Sequence, residues 1–399
     1  MRGGAIVAAL AASRLACRDP VQQPFAQGSI WNTPIGSGAE FQPAGVFAPG
    51  RIQPEQFHHD DDHVWLKLSA DDPETPWFAQ GSWGLPHREY CEVSGKFYRN
   101  ISFPRDLTLT LFGHNNGAGL LLPSGEEYIE TQPVYRCSPG SPFLSHRPFC
   151  KPPQAAQPNC TMSIRGNGTY GAHGGSGLSA VGGAIRANEI GPDAPPISHA
   201  LKIELSALDY YYDQPPAMVW PALGHDGYAF NKSNPLHYGG SNPNFAPGAL
   251  LAVPLEHSRD VTVTTAPGRR ILQALTQFGG YIVDDTADQR RGTICTQYGF
   301  GDAFMSAYGF QFNATGTPFV ADMTNIFRAL HIVTNNGPGS VGGGGTPVVA
   351  PPPPLCPRGM EPKVLQAPAE LPRDRGSETA TGRPAAALSD GFGIARGQL

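Results

Sequence analysis

Asp284 and Asp285 stand side by side after an apolar run, Tyr281 to Val283, where a strand would hand over to a loop. Glycoside hydrolysis needs two carboxylates across the scissile bond, one holding a proton and one charged. Strand-end loops are where such groups are usually placed. Glu189 and Glu204 are the acids that could complete the set. A turn that merely caps the strand is the plainer alternative. A second group, His173, His199, His225 and Asp226, could supply the base of a lyase or metal ligands from separate strands. For each of these histidines a hydrogen-bonded structural role is the simpler reading. The catalytic candidates are therefore His173, Glu189, His199, His225, Asp284 and Asp285.

Other motifs are weaker. His58 to His63 reads HHDDDH, a metal-binding composition without the glycine and closing glutamate of an EF-hand loop. A solvated acidic loop is the plainer reading, with weak calcium or transition-metal binding as the alternative. HExxH is absent, and Gly175-Ser176-Gly177 is not a nucleophile elbow. The glycines from Gly174 to Gly183 lack a Gly-Lys-Ser/Thr ending, so they predict tight bends rather than a phosphate cradle. None of this chemistry requires a cofactor, although a divalent metal such as calcium is compatible with it. No ligand set is identified by spacing. Aromatic side chains offer flat apolar faces that suit sugar rings. Trp83, Tyr211, Tyr212, Trp220 and Tyr228, with Asp226, are the candidate substrate-binding residues.

These residues need short strands to position them. The stretch from His173 to Glu204 is central: a glycine-rich opening, proline-marked turns, then a strand over Ala200–Leu205. Alternation there puts His199, Leu201, Ile203 and Leu205 on one face, which leaves Lys202 and Glu204 outward. Further strands are predicted at 64–68, 96–103, 107–112, 128–134, 249–253, 261–265 and 281–283. Pro267–Phe278 has apolar residues at helical spacing and Gly279-Gly280 after it, which predicts a helix. Met323–Val333 predicts a short helix followed by a strand. The fold class expected is mainly β, a β-sandwich or jelly-roll-like domain with one or two short helices and long loops.

Composition narrows the setting. The 399 residues include 49 glycines and 41 prolines with only 15% charged residues, a turn-rich chain. A net charge of −5 and no basic stripe give no reason to expect nucleic acid. No run is apolar enough to span a membrane. Residues 1–20 resemble a signal peptide, with Arg2 before an apolar run. Six cysteines follow Cys17: Cys91, Cys137, Cys150, Cys160, Cys295 and Cys356. Their even number predicts disulfides, the shortest loop joining two of Cys137, Cys150 and Cys160. Sequons at Asn100, Asn159, Asn167, Asn231 and Asn313 point to a glycosylated, extracellular chain. The expected organisation is a domain over 21–334 carrying a disulfide-rich surface insertion at 136–168. A Gly/Pro-rich linker at 335–356 and a disordered tail at 357–399 follow. Nothing in the sequence sets the oligomeric state.

The blocks SIWNTPIG, ISHALKIEL, VWPALGHDG, GALLAVPLE and RRILQALTQFGGYIVDDT, in that order, resemble a largely uncharacterised family of secreted microbial proteins. The resemblance covers about residues 27–334. It implies an extracellular globular domain with a likeness to carbohydrate-active proteins, and it supplies no mechanism. The insertion at 136–168 and the longer loop before Trp220 depart from the family pattern.

The function expected is a secreted carbohydrate-active protein, a hydrolase or lyase that degrades polysaccharide. Its partner would be a polysaccharide or a glycoprotein glycan. A non-catalytic glycan-binding module, or a structural protein of wall or matrix, is the alternative, and the sequence does not decide whether the protein is an enzyme.

Overall fold

The computed structural model describes residues 17–79, 91, 93, 95–110, 116–149, 161–286 and 291–359. The fold is mainly β and sandwich-like, as the alternation predicts. In chain order the first strands are β1 (Phe41–Pro43), β2 (Gln56–Lys67), β3 (Glu74–Ala79), β4 (Phe97–Ser102), β5 (Ala118–Leu121) and β6 (Glu127–Tyr135). Then come β7 (Phe143–Phe149), β8 (Met162–Ser163), β9 (Leu201–Leu205), a short helix α1 (Ala207–Tyr210), and β10 (Leu250–Ala252). The chain continues through α2 (Ala266–Gln277), β11 (Gly280–Asp285), β12 (Arg291–Gln297), α3 (Phe300–Tyr308), α4 (Pro318–Arg328) and β13 (His331–Val333).

Among the described residues the thirteen strands form one mixed sheet, ordered β1-β13-β10-β11-β9-β12-β2-β5-β6-β7-β3-β4, with β8 against β6. Strands β9 and β11 are parallel neighbours, so their C-terminal ends, and the acids at them, lie at the same edge. On one face of the sheet, Phe57, Leu201, Ile203, Leu205, Ile282 and Ile294 pack beneath α2, α3 and α4. On the other, Trp31, Tyr281, Val283 and Cys295 form a second core. A third gathers around Trp77, Phe103, Val134 and Phe143.

Helix α2 begins where the sequence predicts, for a local reason. Thr265 caps it by accepting a hydrogen bond from the Gly268 N–H at 3.2 Å, and Pro267 fills the first turn. Asp322 of α4 reinforces this cap. Its carboxylate accepts from the backbone N–H groups of Thr264 (2.8 Å) and Thr265 (2.7 Å) and from both threonine hydroxyls. The helix-then-strand reading of 323–333 is matched by α4 and β13. Helices α1 and α3 were not anticipated, so the described residues hold four helices rather than one or two.

Several expected boundaries move. Residues 335–356 are not a free linker but a strap against residues 35–38. Ser37 N–H donates to Thr346 O at 2.8 Å, Gly38 N–H to Gly344 O at 2.9 Å, and Val348 N–H to Ile35 O at 2.9 Å. The approach requires glycine, because a Cβ on Gly36 would overlap the Gly344 carbonyl. Within 136–168, Phe143–Phe149 is not an irregular insertion but strand β7, paired to β6 and β3 with Phe143 and Leu144 buried.

Cys17 bonds Cys356, so Cys17–Pro20, read above as the end of a leader, are held in the fold. Arg18 is buried and donates to the carbonyls of Pro353, Pro24, Gln23 and Phe25. Cys91 pairs with Cys137, and Cys295 is a free, buried thiol. Cys150, Cys160 and the tail beyond Gly359 lie outside the described residues. No helix among the described residues is long and apolar enough to cross a membrane.

Candidate carboxylate and histidine site

The parallel pairing of β9 and β11 sets Asp284 opposite Glu204. A register shift between Ile282 and Asp284 achieves this, an irregularity of the kind that re-aims a side chain next to a site. The expected outward pair Lys202 and Glu204 is in fact buried, because the face opposite the helices is itself covered by the 171–186 segment. That segment brings in His173. Its imidazole lies 3.8 Å from Glu204 Oε1 through Nε2 and 3.7 Å from Asp284 Oδ2 through Nδ1.

The glycines around His173 make this approach possible. A Cβ on Gly174 would stand 2.9 Å from Asp284 Oδ2. Gly175 has φ +55°, and a Cβ there would stand 2.9 Å from Asp226 Oδ1 and 3.1 Å from Asp284 Oδ1. Backbone therefore occupies the volume that any larger residue would take from the acids.

Asp226 arrives from the aromatic loop between α1 and β10. Asp226, Asp284 and Asp285 each place one oxygen within 4.8 Å of the others. Tyrosines fix them: Tyr238 Oη donates to Asp226 Oδ2 at 2.7 Å, and Tyr228 Oη donates to Asp285 Oδ1 at 2.7 Å. Tyr211 Oη donates to the Asp284 carbonyl at 2.6 Å and accepts from Leu205 N–H at 3.0 Å, bolting the ends of β9 and β11 together. Asp285 is the more exposed of the three acids; Asp226 and Asp284 are buried.

Burial first, and mutual repulsion second, drive the carboxyls of Asp284 and Asp285 well above the ordinary carboxylate range. Burial also raises Asp226, against the opposing hydrogen bond from Tyr238. Like charges this close cannot all ionise, so the trio shares protons and behaves as one titrating unit. Burial, with the Lys202 ammonium as the next cause, holds His173 and His63 well below the usual imidazole range, so both rings are neutral.

Of the six catalytic candidates, His173, Asp284 and Asp285 meet here, joined by Asp226. His225 flanks them, its ring edge-on to Phe230 at 4.9 Å and its Nδ1 2.9 Å from the Asp226 carbonyl oxygen. Glu189 and His199 instead pair with each other at 3.1 Å, and Glu189 accepts from Arg186 N–H. Among the substrate-binding candidates, Tyr211 and Tyr228 are buried and act as struts, whereas Tyr212 and Trp220 are half-buried. Trp220 packs partly on the second core. Trp83 lies outside the described residues.

Sequence reasoning passed over Cys295, Lys202, Glu130 and Tyr238, and it read His63 as part of a solvated loop. His63 is on strand β2 and 2% exposed. Its ring stacks on that of His173, with centroids 4.9 Å apart. The clue was present in the run His58–Lys67, which continues without a glycine or proline into Val64-Trp65-Leu66. Lys202 Nζ donates to the carbonyls of Ser179 (3.3 Å) and Ala180 (2.9 Å). Beside it Glu130 accepts from Ser179 Oγ (2.6 Å) and from the Ala172 and Ala180 N–H groups.

The oxygen-rich trio Asp226, Asp284 and Asp285 has the hard donors suited to a divalent cation such as calcium. His63, His173 and Cys295 offer softer donors. No protein-family model, curated protein or solved structure matches the chain.

Proposed function

We propose that the protein is a secreted carbohydrate-active enzyme that cleaves an extracellular glycan by carboxylate acid–base chemistry at Asp226, Asp284 and Asp285. The observation that carries the reading is the convergence of three acids from two distant segments, all three with raised carboxyl pKa values, beside a neutral histidine. Coupled carboxyls with raised affinity for protons can divide the roles of proton donor and charged partner, which is what an acid and a base or nucleophile require. Tyr228 orients Asp285 by its hydrogen bond, and the His173 imidazole lies 3.7 Å from Asp284.

Glycan as substrate is supported by the rim and the compartment. Phe230 is exposed beside His225 and Asp226, offering an apolar face next to the acids. The disulfides fit an oxidising compartment. Asn100, Asn167 and Asn231 of the sequons are exposed.

A panel of neutral, amino and uronate polysaccharides tests this, read for new reducing ends and for unsaturated-uronate absorbance. Cleavage by the wild type, lost about 10²–10⁴-fold in Asp285→Asn, is the expected result. Binding without cleavage, unchanged by Asp285→Asn, would leave a glycan-binding module instead. Neither binding nor cleavage across the panel would end the glycan reading.

A further inference from the structure

We propose that His63, His173, Cys295 and Glu204 form a four-ligand site for a divalent transition-metal ion of the zinc class, distinct from the carboxylate trio and joined to it through His173. The argument begins with a triangle. Cys295 Sγ lies 3.3 Å from Glu204 Oε1 and 3.8 Å from His173 Nε2, and His173 Nε2 lies 3.8 Å from Glu204 Oε1. Tetrahedral zinc with bonds of about 2.0–2.3 Å separates its ligand atoms by about 3.3–3.6 Å. Three donors from three segments thus already stand at nearly the edges of a coordination tetrahedron. His63 supplies the fourth corner: one of its nitrogens lies within 4.8 Å of the donors of both His173 and Cys295.

Sheet pairing explains why these residues meet. Strand β12 lies between β9 and β2, with Thr293 opposite Glu204 and Cys295 opposite Asp60. Gln297 of β12 is opposite His63, so the cysteine, the glutamate and His63 come from three adjacent strands. The 171–186 segment then lowers His173 onto them. All four side chains are at least nine-tenths buried, with Cys295 and His63 at 0% and 2% exposure.

The surroundings resemble a metal's outer shell. His63 Nδ1 is 3.4 Å from the Asp60 carbonyl oxygen, which directs Nε2 inward. His173 Nδ1 lies 3.7 Å from Asp284 Oδ2, a carboxylate on the side of the ring away from Cys295. Charge also balances. A dication offsets the Cys295 thiolate and the Glu204 carboxylate, while Lys202 is held by carbonyls next to Glu130. A thiol that takes up the ion loses its proton to solvent. Asp60, which can place an oxygen within 4.8 Å of Cys295 and Glu204, is the remaining donor nearby.

The test uses the full chain with its disulfides intact, stripped by chelator and titrated with Co²⁺. A stoichiometric ion and a thiolate-to-cobalt band in the near ultraviolet are expected, with Zn²⁺ displacing the cobalt and erasing the band. Cys295→Ser should abolish the band, and His63→Gln should weaken Co²⁺ binding about 10-fold or more. Asp226→Asn disrupts the carboxylate trio and should leave the band unchanged. Retention of Co²⁺ without a thiolate band, or a band that survives Cys295→Ser, would overturn the site. So would failure of the wild type to retain Co²⁺ or Zn²⁺ through dialysis. These readouts do not depend on glycan cleavage.

Discussion

Replacing Asp284 by asparagine keeps the side chain's shape and removes one charge from a buried group of acids. Asp226, Asp284 and Asp285 place oxygens within 4.8 Å of one another. At that separation, and at an effective permittivity of about 20, two fully ionised carboxylates repel by about 3 kcal/mol. Proton sharing lowers the realised cost. The Asp284→Asn chain should therefore be more stable than wild type by about 1–3 kcal/mol at pH 8 in the presence of chelator.

The direction with pH follows from the raised carboxyls of Asp284 and Asp285. Between the unfolded value near 4 and the elevated folded value, the folded chain binds more protons than the unfolded one. The group's contribution to stability thus falls as pH rises through that window. At pH 4 all the carboxyls are largely protonated in the fold, and the variant should gain little. Urea unfolding followed by tryptophan fluorescence at pH 4, 6 and 8 measures the difference. A stability difference that is the same at all three pH values, or a variant less stable at pH 8 than at pH 4 relative to wild type, would refute the reasoning.

Gly36→Ala should lower stability by about 1–3 kcal/mol, because the added methyl forces the strap off residues 35–38; thermal unfolding reads it. Opening the Cys17–Cys356 bond by Cys356→Ser should cost about 2–5 kcal/mol and make residues near 350 sensitive to limited proteolysis. Asp322→Ala removes four hydrogen bonds at the start of α2 and should cost about 2–4 kcal/mol in chemical denaturation.

The strand class and α2 were legible because both rest on local pattern: apolar periodicity, a threonine cap and a glycine stop. Asp284 and Asp285 were legible for the same reason, as polar residues ending an apolar run. The burial of Glu204 and Lys202 was not. Alternation marks two faces of a strand but does not reveal that the second face is covered, here by a glycine-rich segment with no periodicity of its own. Cys295 was counted toward disulfides because parity is a property of the whole chain, whereas its neighbours are set by strand order. Glu189 and His199 were drawn into the site by proximity in sequence, which their mutual pairing at 3.1 Å satisfies locally. The strap was misread because glycine and proline richness describes a flexible connector and a closely packed backbone equally well.

The bond between Cys17 and Cys356 spans 339 positions. A chain emerging from its site of synthesis cannot make this closure until nearly all of the domain is already outside. Strand β1 likewise waits for β13, its late partner at the sheet's edge. Residues 17–43 thus lack these partners until residues 331–356 have been made.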